Sequence, residues 1–203
     1  MCCDTVLMVS YKKNGEWNKV SKYSKQRFKE MGFKVELVEG YNFKELVKNN
    51  DPVKKNQLVY KNILEIALVK SKKFLDQNKK YKGVFIAEDD AWITLSLNQL
   101  KKKVSLKKDG NIKWIGYQKK LKTGNTFYYV GTQLVWIPRN KIKKLTDIMY
   151  IKTPQHLNGF LSKNINDIGI DIMPPGLVQE IEHESLTLDK VRSGKKINSI
   201  EIT

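Results

Sequence analysis

The chain has 203 residues, with 38 Lys+Arg against 21 Asp+Glu for a formal charge of +17, 40% hydrophobic residues and two Cys. That is enough for one continuous apolar core, which excludes an intrinsically disordered chain, and the positive excess predicts attraction to something anionic: nucleic acid, a phosphorylated ligand or an acidic membrane surface. Cys2 and Cys3 are adjacent with no other Cys to pair with, which excludes a disulfide scaffold and a cysteine-type zinc site, and the longest apolar runs fall far short of a bilayer crossing.

Thr5-Val-Leu-Met-Val-Ser10 is apolar without alternation and predicts a central strand covered on both faces. After Asn14-Gly15, the spacing of Trp17, Val20, Tyr23, Phe28 and Met31 predicts a helix stopped at Gly32, and Phe33 to Val38 alternates as a strand. This β-α-β opening favours a parallel sheet with a right-handed crossover. Asp51-Pro52 starts a long helix through Gln77, carrying Leu58, Val59, Ile63, Leu64, Ile66, Leu68 and Leu75 without an internal Gly or Pro. Tyr81 to Ala87 is a further apolar strand, Asn98 to Leu106 a short helix, and Lys108 to Asn111 a turn leading into a strand over Ile112 to Gly116.

Phe127 to Val130 and Gln133 to Ile137 read as a β-hairpin around Gly131; Pro138 then opens a helix with Ile142, Leu145, Ile148 and Met149 on one side, and Thr153-Pro154 opens another. Ile168 to Ile172 is a late strand closed by Pro174-Pro175. The fold class expected is α/β, a single domain over residues 1–188 with a mixed, mostly parallel central sheet flanked by helices. Residues 189–203 are polar and weakly patterned, as in a tail or a link to a further domain. With no basic-then-apolar leader at the N-terminus, a cytoplasmic protein is expected.

The apolar strand ends at Glu88-Asp89-Asp90. Three successive carboxylates repel one another, so something positive is expected there, and ligands of open α/β sheets gather beyond the carboxyl ends of the strands. In an extended segment Glu88 and Asp90 face the same way and can converge on one hard cation, with Asp89 pointing elsewhere. The other reading is a solvated acidic loop capping a helix that starts near Ala91. His183, shortly after the late strand, can add an imidazole if the chain returns across the strand ends; such a mixed oxygen and nitrogen set suits Mn²⁺ or Mg²⁺. His156, at the start of a helix, is an ordinary surface or core residue.

Val84-Phe-Ile-Ala-Glu-Asp-Asp-Ala91 resembles the apolar strand and EDD form of the DXD motif in glycosyltransferases of the GT-A fold, in particular the lipooligosaccharide and collagen galactosyltransferase-like family 25 and related small viral glycosyltransferase domains. Glu65-Ile66 and Ser71 match that family's E-I-x-x-x-x-S-H stretch, Gly131 to Ile137 resembles its G-T-x-x-Y-x-I segment, and Pro174 to Gln179 its P-P-L-V-x-Q ending. Two departures stand out: Lys72 replaces the histidine of the S-H pair, and the aspartate at the start of the late helix is replaced within Pro154-Gln-His-Leu157.

The resemblance implies a GT-A-like transferase that moves a sugar from a UDP-linked nucleotide sugar to an acceptor hydroxyl on a glycan or glycoprotein. It implies Mn²⁺ or Mg²⁺ on Glu88, Asp90 and His183, and Asp89 hydrogen-bonding ribose or sugar. The nucleotide would lie at Ser10 and Tyr11, with Lys12 and Lys13 as phosphate neighbours; if the chain is viral, the compartment is the host cytoplasm. The catalytic base is left among Asp171, Glu180 and Glu182. The competing reading is a lysine-rich nucleic-acid-binding protein, with Tyr128 and Tyr129 for base stacking, or a metal-dependent nuclease. Against it, only Arg27, Arg139 and Arg192 are arginines, the lysines are spread along the chain, and Ala91 to Gln99 holds no lysine for nuclease chemistry. No stable nucleic-acid partner is therefore expected.

Overall fold

The computed structural model describes residues 4–40, 48, 68–104, 110–116, 119–123, 126–151, 161, 165–181, 183–184 and 191–192. Strand β1 (Thr5–Ser10) is buried at every position, as its unbroken apolar run predicts. A tight hairpin follows, β2 (Lys12–Lys13) with β3 (Glu16–Trp17), turned by Asn14 at φ 53 and Gly15 at φ 83. Both turn residues need positive φ, which Asn-Gly supplies at low cost. Trp17, expected in the helix, therefore belongs to β3.

Helix α1 (Lys19–Glu30) begins at Asn18, whose side chain caps the Ser21 amide at 2.7 Å. Its buried face is Ser21, Ser24 and Phe28, and Arg27 and Lys29 lie in the last turn, where the helix dipole favours cations. Gly32, at φ 86, reverses the chain into β4 (Lys34–Glu39), which pairs parallel with β1 from Thr5↔Lys34 to Ser10↔Glu39. The β-α-β opening is as expected.

The predicted helix from Asp51 is described only from residue 68; residues 68–77 are helical, and Leu68 and Leu75 are buried. Arg139 fixes its end: Nη2 donates to the carbonyls of Leu75 (2.7 Å), Asn78 (3.0 Å) and Tyr81 (3.1 Å). One fixed guanidinium thus satisfies carbonyls that a helix end leaves open. Then come β5 (Gly83–Glu88), β6 (Ala91–Ile93), α2 (Leu97–Val104) and β7 (Ile112–Gly116).

The expected hairpin around Gly131 is not formed. Instead β8 (Lys119–Thr123) pairs with β9 (Thr126–Val130), and Thr123↔Thr126 leaves a two-residue Gly124-Asn125 connection. β10 (Leu134–Pro138) enters the main sheet between β5 and β7, antiparallel to both. The reason is burial: all of Leu134 to Pro138 is buried, and a strand so apolar on both faces is stable only inside a sheet. Pro138 closes this strand, and α3 (Arg139–Ile151) follows with Ile142 and Leu145 buried.

The short α4 (Ile165–Ile168) leads to β11 (Ile170–Ile172), β12 (Val178–Glu180), β13 (His183–Glu184) and β14 (Val191–Arg192). The helix expected from Thr153-Pro154, and His156 with it, lies outside the described residues. The six-stranded sheet runs β11-β7-β10-β5-β1-β4, with β10 alone antiparallel to its neighbours. This is the mixed, mostly parallel sheet expected.

Edge-to-face rings tie α1 to the sheet, with Phe28 to Phe33 at 5.4 Å and Phe33 to Phe85 at 5.7 Å, and Phe85 meets Trp136 of β10 at 4.8 Å. Among the described residues no helix is long and apolar enough to cross a membrane.

Trp136 packs so close to β5 that a Cβ on Gly83 would lie 2.6 Å from its ring and 2.5 Å from the Ile137 carbonyl oxygen. Backbone cannot yield there, so Gly83→Ala is expected to cost about 1–3 kcal/mol, the usual penalty of overpacking. Urea unfolding of the two proteins measures it.

Candidate functional site

Three parallel strands, β1, β4 and β5, end together at one edge of the sheet, and antiparallel β10 begins there. That edge gathers Ser10, Glu39, Glu88 and the Gly131-Thr132-Gln133 entry to β10. β5 stops at Glu88, and Asp89-Asp90 form a turn into β6. Neither sequence reading of this stretch holds in full. No helix starts at Ala91, which opens a strand, and the alternation that would align Glu88 with Asp90 ends at the turn.

Each of the three carboxylates has its own surroundings. Glu88 Oε1 accepts from the Thr132 amide at 3.1 Å and from the Thr132 hydroxyl. Asp89 Oδ2 accepts from Ser10 Oγ at 2.8 Å and from Asn18 Nδ2 at 2.7 Å, and the same Asn18 nitrogen lies 2.7 Å from Ser10 Oγ. Asp90 is buried, at 6% exposure. Hydrogen bonds from neutral donors thus supply much of the compensation that three successive acids require.

The turn is pinned beyond Asp90 as well. Ser24 Oγ of α1 donates to the Ala91 carbonyl, and Arg27 Nε donates to the Ile93 carbonyl at 3.0 Å while its guanidinium lies 5.1 Å from the Trp92 ring. β12 pairs antiparallel with β6, Glu180 opposite Ala91, and the Ile181 amide donates to the Asp90 carbonyl at 2.7 Å. The chain after the late strand therefore returns to the acidic turn.

Ser10, Tyr11 and Asp89, the residues expected to meet the nucleotide, are brought together. Burial, with the Asp89 charge adding to it, pushes the Tyr11 phenol up to about 12. Of the neighbouring lysines, Lys12 lies 4.9 Å from the Trp17 ring and 3.5 Å from Glu39 Oε2, and Lys13 is exposed. His183 stands in β13, opposite Arg192 and two residues beyond Ile181, so its backbone is within about 7 Å of the residue bonded to Asp90.

Asp171 is not brought there. It pairs with Lys113, a lysine only 3% exposed, and accepts from Asn111 Nδ2 at 3.1 Å. β11 lies three strands from β5 in the sheet order, about 14 Å at ordinary strand spacing. Glu180 stands beside the turn by register, and Glu182 lies outside the described residues. Tyr128 and Tyr129 are neighbours in β9, paired by register with Leu121 and Lys120 of β8. Ser71 is buried in the helical residues 68–77, Lys72 is exposed, and Glu65-Ile66 lie outside the described residues.

Two residues that build the corner were missed from sequence. Asn18 carried a signal, a capping residue type near the helix start, hidden because Trp17 fits the same helical spacing. Thr132 lies inside the G-T-x-x-Y-x-I resemblance, but nothing in its local sequence points to Glu88.

Among the described residues no three or more His, Cys, Asp and Glu side chains gather into a cage for a metal ion. Mg²⁺ and similar hard ions are commonly held by one or two carboxylates together with substrate phosphates and water. A single buried carboxylate, Asp90, directly after a strand end fits an ion shared with a substrate and, with no cluster of three ligands among the described residues, does not fit a closed structural site.

No protein-family model matches this chain, and no curated protein matches it. It is similar to the crystal structure of a glycosyltransferase involved in the glycosylation of the major capsid of PBCV-1, with TM-score 0.55 and 8% identity over 85% of this chain and 81% of that one. It also aligns with the inositol-1-phosphate CTP transferase from T. maritima (TM-score 0.48, 10% identity, 85% and 86% covered). A third alignment is with the CTP:phosphocholine cytidylyltransferase from Streptococcus pneumoniae (0.44, 10%, 87% and 92%). At these identities the likeness to the capsid glycosyltransferase is one of fold, a GT-A-like α/β domain.

Proposed function

We propose that this chain is a nucleotide-sugar-dependent glycosyltransferase resembling family 25, using a UDP-linked donor and a hydroxyl on a glycan or glycoprotein as acceptor. One observation carries the reading. At the carboxyl edge of a GT-A-like sheet, the Asp89 carboxylate is held between Ser10 and Asn18, in the electrostatic reach of Tyr11, where such sheets bind nucleotides.

In this reading the half-buried Asp89 accepts hydrogen bonds from the ribose, and Tyr11, kept protonated, offers a phenol donor beside it. Asp90, with His183 and Glu88 as further candidates, is the carboxylate that would hold Mn²⁺ or Mg²⁺. Such an ion, when bound, supplies positive charge where the departing diphosphate becomes more negative. The bond from the sugar's anomeric carbon to the phosphate oxygen breaks, the acceptor oxygen bonds to that carbon, and the acceptor's proton passes to a base. Glu180 is the base candidate whose backbone stands at the turn; Glu182 follows it two residues later.

Asp90→Ala removes the carboxylate but keeps the backbone bond from Ile181, so the fold is expected to survive while Mn²⁺-dependent release of UDP from a UDP-sugar is lost. Turnover at the wild-type rate in that variant would sink the assignment. His183→Ala is expected to shift the Mn²⁺ titration to higher concentration; an unaltered curve clears His183 of a ligand role. A thermal-shift panel of nucleotide sugars with and without Mn²⁺ is expected to show stabilisation by UDP-sugars that needs the ion.

Tyr11 gives a separate pH test. Below pH 10 the phenol is protonated folded and unfolded alike; between 10 and about 12 the unfolded chain gives up the proton first, so folded stability falls as pH rises. Tyr11→Phe is expected to lose less stability than the wild type across that window, measured by urea unfolding.

A further inference from the structure

Asn18 does three things with one side chain. Its Oδ1 accepts from the Ser21 amide and caps α1, while its Nδ2 lies 2.7 Å from both Ser10 Oγ and Asp89 Oδ2. Its backbone is tied to the same corner, the amide donating to the Tyr11 carbonyl at 3.3 Å. Ser10 is fully buried, whereas Asp89 is half-buried. A carboxylate at a turn next to two other acids would otherwise swing away from them. The paired donors from Ser10 and Asn18 leave it one orientation.

We infer that Asn18 is the positioning residue of the nucleotide site: its amide fixes the Asp89 carboxylate in the orientation that receives the ribose hydroxyls of a uridine nucleotide. The inference rests on the nucleotide-sugar reading and adds to it the residue on which ribose recognition depends. Asn18 does not itself touch the nucleotide. It acts through Asp89, so capping and orientation, both carried by this one side chain, have to be separated.

Asn18→Asp separates them. Aspartate caps a helix as well as asparagine does, but has no amide hydrogens to donate and sets a second negative charge against Asp89. Asn18→Ala removes both roles. UDP binding in Mn²⁺ is measured by calorimetry alongside the melting temperature. Both variants are expected to bind UDP about tenfold more weakly or worse, the ordinary consequence of removing a hydrogen bond to a charged group. Asn18→Asp is expected to melt closer to the wild type than Asn18→Ala.

The exchange Asn18→Asp with Asp89→Asn restores an amide–carboxylate pair with the ends reversed. It is expected to recover melting temperature while UDP binding stays weak, since the carboxylate no longer stands at position 89. Recovery of binding together with stability would reduce Asn18 to a structural role, and so would Asn18→Asp binding UDP within twofold of the wild type. If the folded wild-type protein binds no UDP at all, the nucleotide reading falls and this inference falls with it.

Discussion

Two neutral donors converging on one carboxylate oxygen set the working edge of this protein. Asp89 Oδ2 is shared by the Ser10 hydroxyl and the Asn18 amide, residues 79 and 71 positions away in the chain. Three acids in a row are unstable company at the end of a strand, and the fold answers with dispersal. Glu88 is drawn to Thr132 at the start of β10, Asp89 to the end of β1 and the head of α1, and Asp90 inward beneath the chain that returns as β12. Each acid is assigned to a different neighbour, and the turn takes its shape from those assignments.

The rest of the architecture makes that dispersal possible. β1 stands beside β5 because both are apolar on both faces, which brings Ser10 level with the acidic turn. α1 is pressed to the sheet through Phe28, Phe33 and Phe85, and Ser24 and Arg27 grip the carbonyls of β6. β10, running against its neighbours, presents its amino end where the parallel strands present their carboxyl ends, and so delivers Thr132. Core packing and the geometry of the edge thus rest on the same strands, β1, β5 and β10.

Much of this was legible in the sequence where one local rule decides. Unbroken apolar runs gave β1 and β5, Gly32 gave the stop of α1, and the run into Glu88 placed the acids at a strand end, whereas the hairpin at Asn14-Gly15 went unread because Trp17 fits the helical spacing. Legibility ended where distant partners decide. The pairing of β10 was misread because Gly131 between two apolar stretches looks like a hairpin turn, and nothing local says that Leu134 to Pro138 has β5 and β7 waiting on either side. The same limit applied to Asp171. It stands within the late apolar strand and was a base candidate, but only the sheet order reveals that Lys113 faces it, three strands from the turn. Asn18 is readable as a cap only once Trp17 is set apart in β3, and its second use depends on where β1 and the turn come to rest.

The indole of Trp114 has a consequence of another kind. Its single N–H is shared between the carbonyls of Gly116 and Gly131, at 3.1 and 3.0 Å, the residues where the chain leaves β7 and where it re-enters toward β10. A buried brace of this sort joins the two ends of the β8–β9 excursion independently of what lies between them. The excursion is therefore modular: it can be lengthened, trimmed or exchanged for an unrelated segment while both flanking strands keep their register. Descendants of this chain can thus diversify the β8–β9 segment without re-solving the folding of the sheet on either side of it.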